Sequence, residues 1–114
     1  MLTYLASPYS HPKASMRLLR YKQACKAAGH LMKEGFAVFS PIAHSHSIEA
    51  FFDTIEPGPF WMKQDIPILK HCDQLIVLEL DGWDRSKGVA QELELARKAY
   101  MNILRMDPVT YALY

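Results

Sequence analysis

This sequence predicts an open parallel β-sheet with helices on both faces, a three-layer α/β/α arrangement of four to five strands. Two patterns carry that expectation. Short apolar runs alternate with stretches of helical period along the chain, the β-α-β-α order that gives parallel sheets with right-handed crossovers. One run, Gln74 to Leu80, holds Leu75, Ile76, Val77 and Leu78 without a polar break, as a parallel strand covered on both faces should. At 114 residues the chain reads as a single domain, 1–114, flavodoxin/Rossmann-like in class and large enough to bury a core without staples.

Thr3 to Ala6 reads as the first strand, ended by Ser7-Pro8-Tyr9-Ser10. A helix follows from about Ser15 to Glu34, with Tyr21, Ala24, Cys25, Ala28, Leu31 and Met32 at helical spacing and Gly35 as C-cap. Phe36 to Phe39 is the second strand, stopped by Ser40-Pro41. Ile42 to Pro59 reads as irregular, with a short helix near Ser47 to Phe52 and a turn at Glu56-Pro57-Gly58-Pro59, a candidate lid or specificity loop. The next helix spans about Phe60 to His71, kinked or divided at Pro67. After the Gln74–Leu80 strand, Ser86 to Tyr100 is helical and Asn102 to Arg105 restarts a strand. Asp107-Pro108 breaks it, and Val109 to Tyr114 forms a last strand or a docking tail.

Composition narrows the function classes. Half the residues are hydrophobic, and 13 basic residues stand against 12 acidic ones, so neither disorder nor a polyanion-coating surface is indicated. No nucleic-acid polymer is expected as a partner. Cys25 and Cys72 lie 47 positions apart, outside any C-x-x-C spacing, and read as free thiols in a reducing compartment, the cytoplasm. Met1 to Ala6 is too short for a signal peptide and no apolar run approaches the ~20 residues of a membrane span, so no membrane partner is expected.

Ligands of open parallel sheets bind beyond the carboxyl ends of the strands. Three segments converge there: Ser7 to Tyr9, Ser40 to His46, and Asp81 to Gly88. The last runs into Ser86-Lys87-Gly88-Val89-Ala90-Gln91-Glu92, a helix start whose free N–H groups and dipole suit an anion such as phosphate, with Ser86 and Gly88 placed to hold it. On a wheel of ~100° per residue, Val89, Leu93, Ala96, Ala99 and Tyr100 form one apolar face, and Glu92 lies roughly 50° from its centre. A carboxylate turned toward the core costs desolvation energy and needs partners or a use.

Other side chains are less specific. His44 and His46 alternate in a way that would place both on one side of an extended loop, where His44 is a candidate for base recognition. Two histidines without a Cys or acidic residue at metal spacing do not make a zinc site, so neither a metal nor another cofactor is expected. Trp83 is a candidate for stacking on a purine or pyrimidine, with packing at a strand end as the competing reading. Trp61 with Phe60 reads as core cover, and Arg17 and Arg20 as either phosphate neighbours or a solvated face. There is no G-x-G-x-x-G turn, Walker loop or G-x-S-x-G elbow.

Taken together, Tyr4-Leu5-Ala6-Ser7-Pro8-Tyr9 followed by a helix, Asp65 and Asp73 ahead of an apolar strand, and Ser86-x-Gly88-x-x-x-Glu92 resemble the nucleoside 2-deoxyribosyltransferase superfamily. The resemblance spans roughly Thr3 to Met106. The Ser-x-Gly-x-x-x-Glu spacing is closer to its 2'-deoxynucleoside 5'-monophosphate N-hydrolases than to its base-swapping transferases, in which an Asp precedes the glycine turn more closely; Asp84 is the nearest candidate. Gly82-Trp83 and Trp61 are also similar to a family of small bacterial and phage proteins without assigned activity. The resemblance implies N-glycosidic bond cleavage on a small-molecule nucleoside or nucleotide, with Glu92 as nucleophile, Asp65 assisting at base or sugar, and Tyr9 orienting Glu92. Ser7, Ser86 and Gly88 would bind substrate. It also implies a homo-oligomer, for which Tyr111, Tyr114, Phe51 and Phe52 could supply an interface.

Each role has a plain structural competitor. Against the functional reading, which is favoured for Glu92, stands a carboxylate paired at the core edge; Asp65 reads as well as a helix cap, Tyr9 as rim packing and Ser86 as an N-cap, and Asp73 reads first as a structural residue between helix and strand. The rival to an enzyme is a binding module that keeps the nucleotide pocket for sensing or assembly.

Overall fold

A computed structural model describes every residue from Met1 to Tyr114. The chain forms β1 (Leu2–Ala6), α1 (Ala14–Lys33), β2 (Ala37–Phe39), α2 (Pro41–Glu49), α3 (Gly58–Lys70), β3 (Gln74–Leu78), α4 (Lys87–Lys98) and β4 (Asn102–Met106), with a 3-10 turn at Trp83–Arg85. The four strands make one parallel sheet in the order β2-β1-β3-β4. The class expected from the sequence is present, at the lower end of the expected strand number.

Side-chain alternation explains the layers. Tyr4 and Ala6 of β1 with Leu75 and Val77 of β3 pack against Leu69, Val89 and Ala96 from α3 and α4. Leu5, Ile76 and Leu78 point the other way, onto Ala27, Ala28 and Leu31 of α1. Every residue of β3 is buried, the condition under which a strand loses its polar alternation. At the amino end of the sheet a polar chain is fully paired: Asn102 donates to Gln74 Oε1 at 3.2 Å, and Gln74 donates to Thr3 Oγ1 at 2.7 Å. Asp73 belongs to this same edge, accepting the Leu2 N–H at 2.6 Å.

Helix ends follow local chemistry. α1 closes on Gly35 at φ 100°, where the Gly35 and Phe36 N–H groups each reach back 3.0 Å to the carbonyls of Met32 and Leu31. α4 closes the same way on a tyrosine: Tyr100 takes φ 55°, its N–H bonds Arg97 O, and Met101 N–H bonds Ala96 O. Tyr100 is therefore past the helix end and 96% exposed, not on the apolar face the wheel assigns to it. α3 runs undivided through Pro67.

Two segments differ from the sequence expectation. Residues after β2 form α2, a regular helix in place of an irregular loop. Ser40 is its N-cap, accepting the Ala43 N–H at 3.3 Å, and Pro41 fills the first turn, where a missing N–H costs nothing. The tail is not a fifth parallel strand; its backbone pairs with the chain's own β4 in the antiparallel sense. Asp107 Oδ1 accepts the Val109 and Thr110 N–H groups at 2.8 and 2.9 Å, and the chain turns back on β4. Arg105 and Tyr114 then exchange two backbone bonds of 2.8 and 2.9 Å, and Tyr111 packs against His30 with ring centroids 4.9 Å apart.

Candidate active site

The strand order reverses between β1 and β3, since β1 leads to β2 on one side and β3 leads to β4 on the other. Such a reversal opens a crevice at the carboxyl ends of the strands. A cleft of about 890 Å³ lies there, walled by the loop after β1, the start of α1, the first half of α3, and the Asp81–Gly88 turn with α4 behind it. Ser7, Tyr9, Asp65, Ser86, Gly88 and Glu92 all line it. His44 and Trp83 do not.

Glu92 is held one turn into α4 and is 5% exposed. Its Oε2 accepts a hydrogen bond from the Tyr4 hydroxyl, which rises from the centre of the sheet. Burial pushes the Glu92 carboxyl up to about 8; the bond from Tyr4 pulls it down, and the nearby Asp65 charge pushes it further up. Tyr4 is itself pushed upward, first by burial and then by the Glu92 charge, so it remains a phenol donor. Asp65, on α3 and 7% exposed, is raised by burial to about 6. Its Oδ1 has no hydrogen-bond partner, so the helix-cap reading does not account for it.

The start of α4 supplies the anion-binding features. Ser86 Oγ accepts the Val89 N–H at 3.2 Å and Ser86 O accepts that of Ala90, which leaves the Lys87 and Gly88 N–H groups without intrahelical partners at the cleft wall. Cap and free N–H groups thus share one helix start. Arg17, Arg20, Arg85 and Lys87 line the same cleft. Arg20 also ties the two loops together, donating to Ser10 O at 2.9 Å and to Asp81 O at 3.1 Å. Gly82, at φ 89°, permits that clamp, because a Cβ there would sit 3.0 Å from Arg20 Nη2. At Gly88 a Cβ would meet nothing nearer than 3.8 Å, so packing does not demand a glycine.

Three assignments are corrected. Tyr9 does not orient Glu92; its hydroxyl lies 2.7 Å from His46 Nδ1, and His46 stacks on Tyr21 with centroids 4.1 Å apart. The hydroxyl that reaches Glu92 is that of Tyr4 instead. His44 is exposed on α2 beside Phe39, because the helix sends it and His46 to different sides where an extended loop would have aligned them. Trp83 packs against the α3/α4 core and lies under the Arg105 guanidinium, 5.1 Å from its ring centre, so its face is occupied. Conversely Trp61, which reads as core cover, lines the cleft. Tyr4 carries one signal that the sequence does contain: a tyrosine in a wholly buried strand must find a partner for its hydroxyl.

No group of three or more His, Cys, Asp or Glu side chains is gathered in a way that could hold a metal ion. Cys25 and Cys72 are free thiols, and no helix is long and apolar enough to cross a membrane.

Comparison with known proteins gives three findings. The model of a family described as "Domain of unknown function (DUF1937)" matches residues 1–107. No curated protein matches the chain. Among solved structures, the 2-deoxyribosyltransferase from the psychrotolerant bacterium Bacillus psychrosaccharolyticus is similar, at 27% identity and a TM-score of 0.68, with 95% of this chain and 73% of that one covered.

Proposed function

The chain belongs to the family described as "Domain of unknown function (DUF1937)" and to the nucleoside 2-deoxyribosyltransferase-like superfamily, and on that footing we propose that it cleaves the N-glycosidic bond of a 2'-deoxynucleoside or its 5'-monophosphate. The acceptor is water or a second base. The observation that carries this reading is Glu92: a buried carboxylate in a cleft at the sheet's reversal, gripped through Oε2 by Tyr4, with Oε1 left unpartnered.

The chemistry balances with these residues. Glu92 Oε1 attacks C1' of the deoxyribose, the C1'–N bond breaks, and its electron pair leaves on the base, which takes a proton from Asp65. The resulting ester is opened by water, or by a nitrogen of a second base, with Asp65 accepting the proton and Glu92 released as carboxylate. Two carboxyls raised to about 8 and about 6 hold one proton between them at intermediate pH, and it rests mainly on Glu92, so that proton has to pass to Asp65 before Glu92 attacks as the carboxylate. The Lys87 and Gly88 N–H groups with the arginines at the rim would hold a 5'-phosphate.

Incubation with a panel of deoxynucleosides and their monophosphates, followed by chromatography of free base, tests the reading; binding without base release would leave a sensing module instead. Glu92→Ala must abolish release, and survival of near wild-type activity excludes Glu92 as nucleophile. Adding a second base separates transfer from hydrolysis. We also propose a homo-oligomer in which another copy covers the cleft's aromatic flank, where Phe51 and Ile55 are 89% and 67% exposed. A monomer by light scattering would overturn that part.

A further inference from the structure

Three fully buried side-chain polar atoms have no hydrogen-bond partner: Ser7 Oγ, Trp61 Nε1 and Asp65 Oδ1. All three line the same cleft. An unpaired buried donor or acceptor costs ~1–3 kcal/mol, and native proteins carry few of them, so three in one cavity mark groups that await a ligand. Ser7 and Asp65 are polar residues expected there. Trp61 is not, and its indole can only donate.

The surroundings fix where that donor points. Phe52 stacks on the Trp61 ring at 5.6 Å and 8°, and Phe60 meets it edge-on at 5.1 Å and 89°. Phe52 and Phe60 are themselves in edge contact at 5.9 Å, so the three rings brace one another. Trp61 and Asp65 are four residues apart on α3, hence on one face and one turn apart, with both orphaned atoms at the cleft. A donor-only group beside an acceptor is complementary to a ligand edge that carries an acceptor next to an N–H. Every nucleobase offers such an edge with its acceptor and N–H fixed in one rigid plane, whereas an ionised phosphate has acceptors only.

We propose that Trp61 is a base-reading residue: its Nε1–H donates to a ring nitrogen or carbonyl oxygen of the nucleobase, next to the N–H that Asp65 Oδ1 accepts. The proposal rests on the nucleoside reading above and extends it to the part of the substrate that is recognised. The aromatic brace sets the angle of the bond, and specificity follows because a base lacking an acceptor at that position leaves the indole N–H buried and unpaired.

The test compares wild type with Trp61→Phe, which keeps an aromatic ring and removes the donor, on the best nucleotide from the base-release panel. Its deaza and deoxo analogues, each with one ring nitrogen replaced by C–H or one carbonyl oxygen removed, are measured alongside by calorimetry and by kcat/KM. Wild type should lose ~10-fold or more in affinity for one analogue, and Trp61→Phe should lose a similar factor for the parent while treating parent and that analogue alike. A residue that only packs would weaken all analogues equally. Uniform loss across the series, or no loss for the parent, overturns the proposal even though turnover continues. If Trp61→Phe fails to fold, the wild-type analogue series still decides: indifference to every single-acceptor deletion overturns it. Absence of binding and turnover with every nucleoside and nucleotide defeats the underlying reading, a different result from turnover that is insensitive to Trp61.

Discussion

At the scale of residues, two tyrosines close together in sequence divide the work differently from their order in the motif. Tyr4 reaches Glu92 from inside the sheet, and Tyr9 is engaged with His46 on α2. Tyr4→Phe deletes a hydrogen bond to a buried carboxylate, worth ~1.5–3 kcal/mol. We expect kcat for base release to fall roughly 10- to 100-fold, with Tyr9→Phe changing it by no more than about 2-fold; the reverse ranking in steady-state kinetics would return the orienting role to Tyr9. Gly88 gives a second test. It sits in the first turn of α4, where a Cβ would make only ordinary contacts of 3.8 Å with Met62 and 3.9 Å with Ser86, yet glycine there is ~0.5–1 kcal/mol worse than alanine for the helix. Gly88→Ala should raise Tm slightly and weaken phosphate-bearing ligands, because a methyl group crowds the approach to its N–H. Unchanged monophosphate affinity would leave that glycine without a function. Glu92 was legible from sequence because a helical wheel locates a carboxylate against a core. Tyr4 was legible only as a buried hydroxyl in need of a partner; that the partner is Glu92, 88 positions along the chain, was not.

Elements show why parts of the fold resisted reading. β3 and α4 announce themselves by an unbroken apolar run and an amphipathic period, and both are present close to their expected limits. α2 carries no such period: its only buried residues are Pro41 and Ser45, so nothing but the Ser40-Pro41 start distinguished it from a loop. Reading the segment as extended put His44 in the site, and reading it as helix takes it out. The tail was ambiguous because its partner is the chain's own β4. Arg105 lies between the Trp83 and Tyr114 rings, 5.1 and 5.2 Å from their centres, and donates through Nε to Glu79 Oε2 at 2.8 Å. That arrangement fastens the 3-10 turn preceding Ser86 to the sheet. Arg105→Ala leaves the Glu79 side chain, 9% exposed, without its cation and should cost ~1–3 kcal/mol. It should also weaken ligand binding through the loosened turn, and Arg105→Lys should restore little, because an ammonium cannot lie flat between two rings. Full stability of Arg105→Ala in thermal melts would refute this view of the tail.

For the molecule as a whole, a site that buries acidic groups must weaken the fold as pH rises. Glu92 is raised from an ordinary value of 4.5 to about 8. Below about pH 4.5 it is protonated in folded and unfolded chains alike and contributes its full share of stability. Between about 4.5 and about 8 the unfolded chain releases the proton and the folded chain keeps it, so each added pH unit favours unfolding by up to ~1.4 kcal/mol. Above about 8 both forms are ionised and the loss levels off. Asp65 acts in the same sense over a lower window, from 3.8 to about 6, whereas Asp107, held low by the Thr110 and Val109 N–H groups, acts in the opposite sense as pH falls. The raw stability curve therefore mixes several groups, and the difference between wild type and Glu92→Gln isolates one. Gln keeps the shape and an acceptor for Tyr4 but has no proton to lose. The two proteins should melt within a few degrees of each other near pH 4, and Glu92→Gln should be the more stable by roughly ten degrees or more near pH 8.5, with base release abolished. A melting difference that stays flat across that range would mean the Glu92 carboxyl titrates as an ordinary surface acid, and the buried, Tyr4-held nucleophile would have to be abandoned with it.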